Sequence, residues 1–284
     1  MLIVNIKGGL GNQMFQYAFA HIRAKKLNKS LFVLDSTRFA TVPREYCLNV
    51  FDVKPSIKNR AFLRFAYIVV SGLAILHRRL KFLNKFYLQD LDDEEAENAF
   101  ADRVIVLNGY WQRANYYVDN INEVRKLFTF PAVPIQHKII EFKPGKKYIA
   151  MHIRRGDYVS QSGVDSIHLV CDIDWYERCL QHMVAKVGEA KVVIFTDDEK
   201  WVKANFTSQD HDIFVVPNDS ARDSWVDLYY MSLCDHFIIS NSSFSWWSAF
   251  IGHKPGSIVV APKYWFKGVK TQTLSICPKS WELV

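Results

Sequence analysis

Two arginines, a histidine and an aspartate crowd into six residues of this 284-residue chain: His152-Ile153-Arg154-Arg155-Gly156-Asp157. The run Tyr148 to Ile153 reads as a buried strand, which puts the polar cluster at its carboxyl end. On a strand, His152 and Arg154 point to one face, and Ile153 and Arg155 to the other. Guanidinium groups at the end of a buried strand are costly unless paired. Asp157 can pair one of them, and a diphosphate can take the other bidentately. A structural salt bridge accounts for a single Arg–Asp pair. Four polar groups in six residues point instead to a site for an anionic ligand.

Three further junctions are rich in small and polar residues. Gly8-Gly9-Leu10-Gly11-Asn12-Gln13 joins an apolar run to a helical pattern, and its glycines let a backbone approach a ligand near a helix start. It is not the dinucleotide GxGxxG pattern, because Met14 takes the last place, and a plain tight turn explains it equally. Thr196-Asp197-Asp198-Glu199 follows another apolar run. Its carboxylates suit a base or ribose hydroxyl, or equally the first turn of a helix, with Asp197 the better candidate ligand. In Ser240-Asn241-Ser242-Ser243-Phe244, hydroxyls and helix-start amides can cradle a phosphate; Ser243 serves equally as a plain N-cap.

The elements that must position these junctions alternate. Leu2 to Ile6 reads as a strand, and Met14, Phe15, Ala18, Phe19 and Ile22 recur at helical spacing. Leu31 to Leu34 and Val104 to Leu107 read as strands. Pro131, Pro134 and Lys143-Pro144-Gly145 mark a boundary. Beyond it come strand Tyr148 to Ile153 and helix Asp174 to Val187, the latter with Asp174 and Glu177 spaced as a capping box. Strand Val192 to Phe195 is followed by a helix capped by Thr196 and Glu199. Strand Ile213 to Val216 leads to a helix opened by Ser220 and Asp223. Strand His236 to Ser240, helix Phe244 to Ile251 and strand Ser257 to Ala261 close the series. The expected class is α/β, two doubly wound parallel-sheet domains over residues 1–143 and 144–284, with ligands beyond the carboxyl ends of strands.

Composition sets the outer limits. With 49% apolar and 23% charged residues the chain belongs with globular proteins, not disordered ones. The formal charge of +7 suits an anionic partner without choosing among a nucleotide, a membrane surface and a nucleic acid. Nucleic acid is not expected, because the cations are scattered outside residues 59–86. That stretch, apolar between arginines and lysines, reads as helices packed in the first domain or as a basic surface touching an anionic membrane. The five cysteines form no CxxC pair and read as reduced thiols. Met1 to Ile6 is too short for a secretory signal. The longest largely apolar run, Ala66 to Leu76, is shorter than the ~20 residues a spanning helix needs. A cytoplasmic protein is expected, peripheral to the inner membrane if residues 59–86 touch it. Oligomeric state is not legible.

Three segments carry a family resemblance. GGLGNQMFQYA at 8–18, HIRRGDY at 152–158 and SNSSFSWWSAF at 240–250 together resemble the α-1,2-fucosyltransferases of glycosyltransferase family 11. The resemblance extends to PKYWF at 262–266 and covers nearly the whole chain. It implies a GT-B-like fold, two Rossmann-type domains facing a cleft, the first holding the acceptor and the second GDP-β-L-fucose. It implies inverting transfer of L-fucose to O2 of a terminal β-galactoside in a bacterial glycan, with no metal or other cofactor. Arg154 would contact the β-phosphate as the leaving-group clamp. His152, Gly9, Gly11 and Asn12 would lie near the diphosphate, Asp197 on guanine or ribose, and Ser242, Ser243 and Phe244 over the phosphates and base. Arg155 and Asp157 would support the site or line the sugar pocket.

The resemblance departs at the base. In α-1,6 relatives a lysine follows the motif aspartate and a glutamate follows that, whereas here Tyr158 and Val159 follow Asp157. Arg154 and Asp157 are therefore the catalytic candidates, with Asp165 and His168 as further carboxylate or imidazole choices and a base-free route also open. The DxD strings Asp172-Ile173-Asp174 and Asp210-His211-Asp212, which in other transferases would hold a metal, read as chance matches.

Overall fold

The computed structural model of the chain describes residues 1–39, 43–57, 60–77, 87–88, 104–155, 171–206, 211–266 and 273–284. The chain divides into two compact units: Met1–Gln112 with Tyr116–Pro131, and Arg113–Asn115 with Ala132–Val284. The division falls at Pro131, the first of the prolines marking the boundary in the sequence, ahead of position 143.

The first unit is built on a parallel sheet. Strands β1 (Leu2–Ile6), β2 (Leu31–Asp35), β3 (Tyr87–Leu88) and β4 (Ile105–Leu107) lie in the order β2-β1-β4-β3. Leu2, Val4 and Ile6 are buried, as is every residue of β4, as a sheet covered on its faces requires. After β1 the chain turns through Gly8 at φ +80°, a left-handed conformation that favours glycine, into helix α1 (Leu10–Lys26). Helix α2 (Arg60–His77) lays Ala66, Val70 and Leu73 against Leu34, Ile57 and Val106. A short helix α3 (Ile121–Leu127) follows β4.

The second unit holds a six-stranded sheet, all parallel. Its strands are β5 (Tyr148–Ile153), β6 (Lys191–Thr196), β7 (Ile213–Val215), β8 (His236–Ile238), β9 (Val259–Ala261) and β10 (Glu282–Leu283). Their order, β7-β6-β5-β8-β9-β10, is that of the doubly wound nucleotide-binding sheet. The chain winds outward from β5 through β6 and β7, then returns to β8 on the other side. Right-handed crossovers in both directions put helices on both faces. These are α4 (Ile173–Val187), α5 (Glu199–Asn205), α6 (Ser224–Leu233), α7 (Ser243–Gly252) and α8 (Thr273–Ile276). Trp175, Tyr176, Cys179, Leu180, Met183 and Val187 form the inner face of α4 and pack on Ile149, Met151 and Ile153. Burial pushes the thiols of Cys171 and Cys179 up to about 12.

Gly252 is fixed by close packing. A Cβ there would sit 2.3 Å from the Ser232 carbonyl oxygen, at the last turn of α6. Only a residue without a side chain lets α7 pass α6 at this separation.

The expected α/β class, with two doubly wound parallel sheets, is what the chain has, but several caps differ from their expected places. Helix α4 is capped by Asp172, whose carboxylate accepts from Trp175 N at 2.8 Å, not by Asp174. DIDWYE offers two overlapping cap registers, and the earlier one adds a residue of helix while leaving Asp174 in the first turn, where the dipole favours it. Helix α5 is capped by Asp198, accepting from Trp201 N at 3.1 Å, while the Thr196 hydroxyl accepts from Asp198 N at 3.0 Å and shapes the turn before it. Helix α7 is capped by Ser242, not Ser243, and β8 stops at Ile238, two residues short of Ser240.

Candidate active site

In the second unit β5 and β8 are neighbours, yet the chain leaves them in opposite directions across the sheet. Their carboxyl ends therefore flank the crevice where doubly wound sheets bind ligands. His152 and Arg154 come from the end of β5. Ser240, Asn241 and Ser242 come from the end of β8 and lead into α7.

His152 is buried, and its Nδ1 lies 3.0 Å from the Ser240 hydroxyl, a residue 88 positions away. Its ring centroid is 5.7 Å from that of Phe244, in the first turn of α7. Burial, reinforced by the charge of Arg154, pushes the imidazole down to about 3, so it is neutral at physiological pH. A neutral imidazole has one nitrogen that donates and one that accepts. It orders polar neighbours without adding a buried charge.

The two arginines are held differently. Strand pairing sets Ile153 opposite Thr196, so the residues just beyond face one another: Arg154 with Asp197, Arg155 with Asp198. Asp197 Oδ2 accepts from Arg154 Nε at 3.1 Å, and its Oδ1 accepts from the Arg155 backbone N–H at 2.8 Å. Asp198 Oδ2 lies 3.4 Å from Arg155 Nε, while its Oδ1 caps α5. The Arg155 guanidinium also stacks on the Trp201 ring at 3.7 Å. Arg155 is thus tied to α5 by an ion pair and a cation–π contact. Asp197, expected on guanine or ribose, is occupied with the two arginines.

The turn after β8 is built to present amides. Ser242 caps α7, its hydroxyl accepting from Phe244 N at 3.3 Å, and its carbonyl accepts from Trp246 N at 3.0 Å. Asn241 is buried and donates to the Trp265 carbonyl at 3.1 Å, anchoring the turn to the PKYWF segment. Trp246 and Trp247 are fully buried and belong to the core. Behind the site the buried Tyr176 hydroxyl approaches the Arg154 backbone and Ser240 without a formed hydrogen bond. Asp157, Asp165 and His168 lie outside the described residues.

The glycine turn belongs to the first unit. Gly9 precedes α1 in an extended conformation, with no side chain capping the helix, and Gly11 is buried in its first turn. Asn12 accepts from Gln112 Nε2 at 2.8 Å through its Oδ1, and its side chain lies against Gly8. Gln13, read only as part of the turn, clamps it: it donates to the carbonyls of Gly8 at 2.8 Å and Glu45 at 2.7 Å, and accepts from Cys47 N at 2.9 Å.

The structure thus brings His152, Arg154, Arg155 and Asp197 together with Ser242, Ser243 and Phe244 at one sheet edge. Sequence reasoning missed Ser240 as the partner of His152 and Trp201 as the support of Arg155. Ser240 had a signal, being the first polar residue after a buried strand. Trp201 had none.

Known proteins resemble the chain along its length. The O-antigen biosynthesis glycosyltransferase WbnK of Escherichia coli is 29% identical, covering 97% of this chain and 98% of that protein. An alpha-1,2-colitosyltransferase of Escherichia coli is 26% identical over 99% of this chain and 98% of its own. Galactoside 2-alpha-L-fucosyltransferase SEC1 of Bos taurus is 23% identical over 87% of this chain and 63% of its own. The profile of glycosyl transferase family 11 matches residues 1–282, so the chain belongs to that family.

Proposed function

We propose that this glycosyltransferase moves L-fucose from GDP-β-L-fucose to O2 of a terminal β-galactoside, with inversion, in the synthesis of a bacterial surface glycan such as O-antigen. The observation that carries the reading is Arg154, fixed by Asp197 at the carboxyl end of β5 and flanked by a neutral His152 and the start of α7. As the bond from sugar to diphosphate breaks, the sugar gains oxocarbenium character and negative charge gathers on the leaving phosphate. A guanidinium already oriented stabilises that charge without reorganising as it forms. The amides and hydroxyls at the start of α7 add dipoles of the right sign. In this reading the second unit holds the donor, and the first unit binds the acceptor. Asp157, three residues beyond Arg154 in the sequence, is the candidate carboxylate for removing the acceptor proton.

Purified protein incubated with GDP-fucose and lactose or a related β-galactoside should release GDP and yield an α-1,2-fucoside. GDP-fucose left intact across a panel of galactosides would refute the assignment. A second reading changes the sugar: the 26%-identical relative named as an alpha-1,2-colitosyltransferase favours GDP-colitose as donor. Offering both donors with one acceptor separates the two, since the preferred sugar appears in the product.

A further inference from the structure

Helix α2 belongs to the first unit, and its outer face is unusual. Phe62, Phe65, Ile68 and Val69 are 57, 61, 58 and 43% exposed, and the Phe62 and Phe65 rings lie 6.4 Å apart. At 3.6 residues per turn these four fall within one arc of about 120°. The positions between them, Ala61 and Gly72, are exposed and also apolar. Arg64, exposed, lies at the border of the arc. The adjoining arc carries Ala66, Val70 and Leu73 into the core. A surface helix normally turns charged residues to water on its outer side. A cluster of large apolar side chains there marks an interaction surface.

Charge selects the partner. Between Asp52 and Asp90 the sequence holds eight lysines and arginines and no aspartate or glutamate. Acidic residues resume only at Asp90. An apolar helix face within a segment whose only charged side chains are cationic matches the chemistry of an anionic lipid surface: rings and aliphatic chains enter the acyl boundary, and cations meet the headgroups. A second copy of the chain fits less well, because a two-fold contact sets like charges together with no carboxylate on α2 to pair them. Crossing the bilayer is not the geometry: one face of α2 is committed to the sheet, and among the described residues no helix is long and apolar enough to span.

We propose that the Phe62–Phe65–Ile68–Val69 face of α2 docks the protein on anionic phospholipid bilayers, the helix lying in the plane of the surface. The inference does not depend on which sugar is transferred. The full chain should sediment with vesicles of phosphatidylcholine containing phosphatidylglycerol, and much less with phosphatidylcholine alone. Phe62→Ser with Phe65→Ser should weaken binding roughly tenfold or more, and Arg64→Gln should weaken it several-fold. Both changes are at exposed positions, so GDP binding should be unchanged and reports that the fold is intact. As a gain of signal, Phe62→Trp should be quenched by brominated lipid in the anionic vesicles. A chain left in the supernatant, equal binding to neutral vesicles, an unquenched Trp, or a dimer in solution that Phe65→Ser dissociates would each overturn the proposal.

Discussion

Asp197 accepts from the Arg154 side chain with one carboxylate oxygen, at 3.1 Å, and from the backbone of the next residue with the other, at 2.8 Å. It therefore fixes both where the strand ends and how the guanidinium is turned. On the proposed reading, a residue so placed would act on chemistry through Arg154. Asp197→Asn keeps one accepting oxygen but presents an amide N–H₂ to a donor. We expect kcat to fall about 10–100-fold, the scale of a misplaced catalytic group. Thermal stability should change little, since the ion pair is partly solvent-exposed. If Asp197 instead reads guanine, the variant will keep kcat and lose its preference for GDP over ADP; that pattern would refute the positioning role.

Arg154→Ala removes the charge inferred to meet the leaving phosphate. Loss of one preorganised group of this kind costs on the order of 10²–10³-fold in turnover, and we expect at least that with the fold intact. Arg154→Lys should not rescue it. A lysine ammonium is a point charge and cannot hold Asp197 with one edge while offering a planar fork to phosphate. Near-normal turnover in the alanine variant would remove the central residue of the proposed mechanism.

The parts of this site that were legible in the sequence are those whose cost is local. Arginines after Tyr148–Ile153 stood out because charge at the end of an apolar strand demands a partner, whatever the fold. The partners themselves depend on strand order. Asp197 faces Arg154 only because β6 lies beside β5 in register, and Ser240 reaches His152 only because β8 lies on the other side. Neither adjacency is encoded in spacing. Helix starts were misplaced where two acceptors compete within a few residues, as at Asp172 and Asp174 or Thr196 and Asp198. The carboxylate that reaches the third helical amide wins, and that depends on the path of the preceding turn. The close approach at Gly252 left no trace at all, since a glycine within an aromatic helix has many uses.

His152 makes stability depend on pH. Its imidazole lies at about 3 in the folded chain, against about 6.5 unfolded. As pH falls, the unfolded chain therefore takes up this proton first. The contribution is complete above about pH 6.5 and is lost as pH falls from there towards 3, by up to about 1.4 kcal/mol per unit. Urea denaturation at pH 7.5 and 5.5 should show a steeper loss in the wild type than in His152→Gln, by about 1 kcal/mol. Equal slopes would mean that the ring is solvated or already charged in the native protein.

Gly252→Ala tests the packing that carries the start of α7. Its new methyl would meet a backbone carbonyl, which cannot rotate away as a side chain can. Overpacking costs typically about 1–3 kcal/mol, and we expect the upper part of that range by denaturant titration. Because α7 supplies Ser243 and Phe244, donor affinity should fall with stability. A variant as stable as the wild type would show that α6 and α7 can part without loss.

In many transferases a DxD pair holds a divalent ion that neutralises the leaving diphosphate. Here Asp172 caps α4, and Asp212 gives its two oxygens to Lys146 at 2.6 Å and Lys191 at 3.2 Å. Those lysines hold the Asp212 carboxylate below its usual range, as a stable ion pair should. A carboxylate already neutralised by two ammonium groups is a poor ligand for a cation. In the proposed mechanism Arg154 would supply positive charge at the site in place of an ion. Transfer should therefore proceed at the same rate with EDTA present and without added salts of magnesium or manganese. Stimulation by either ion of more than about tenfold would show that Arg154 does not carry the leaving-group charge alone.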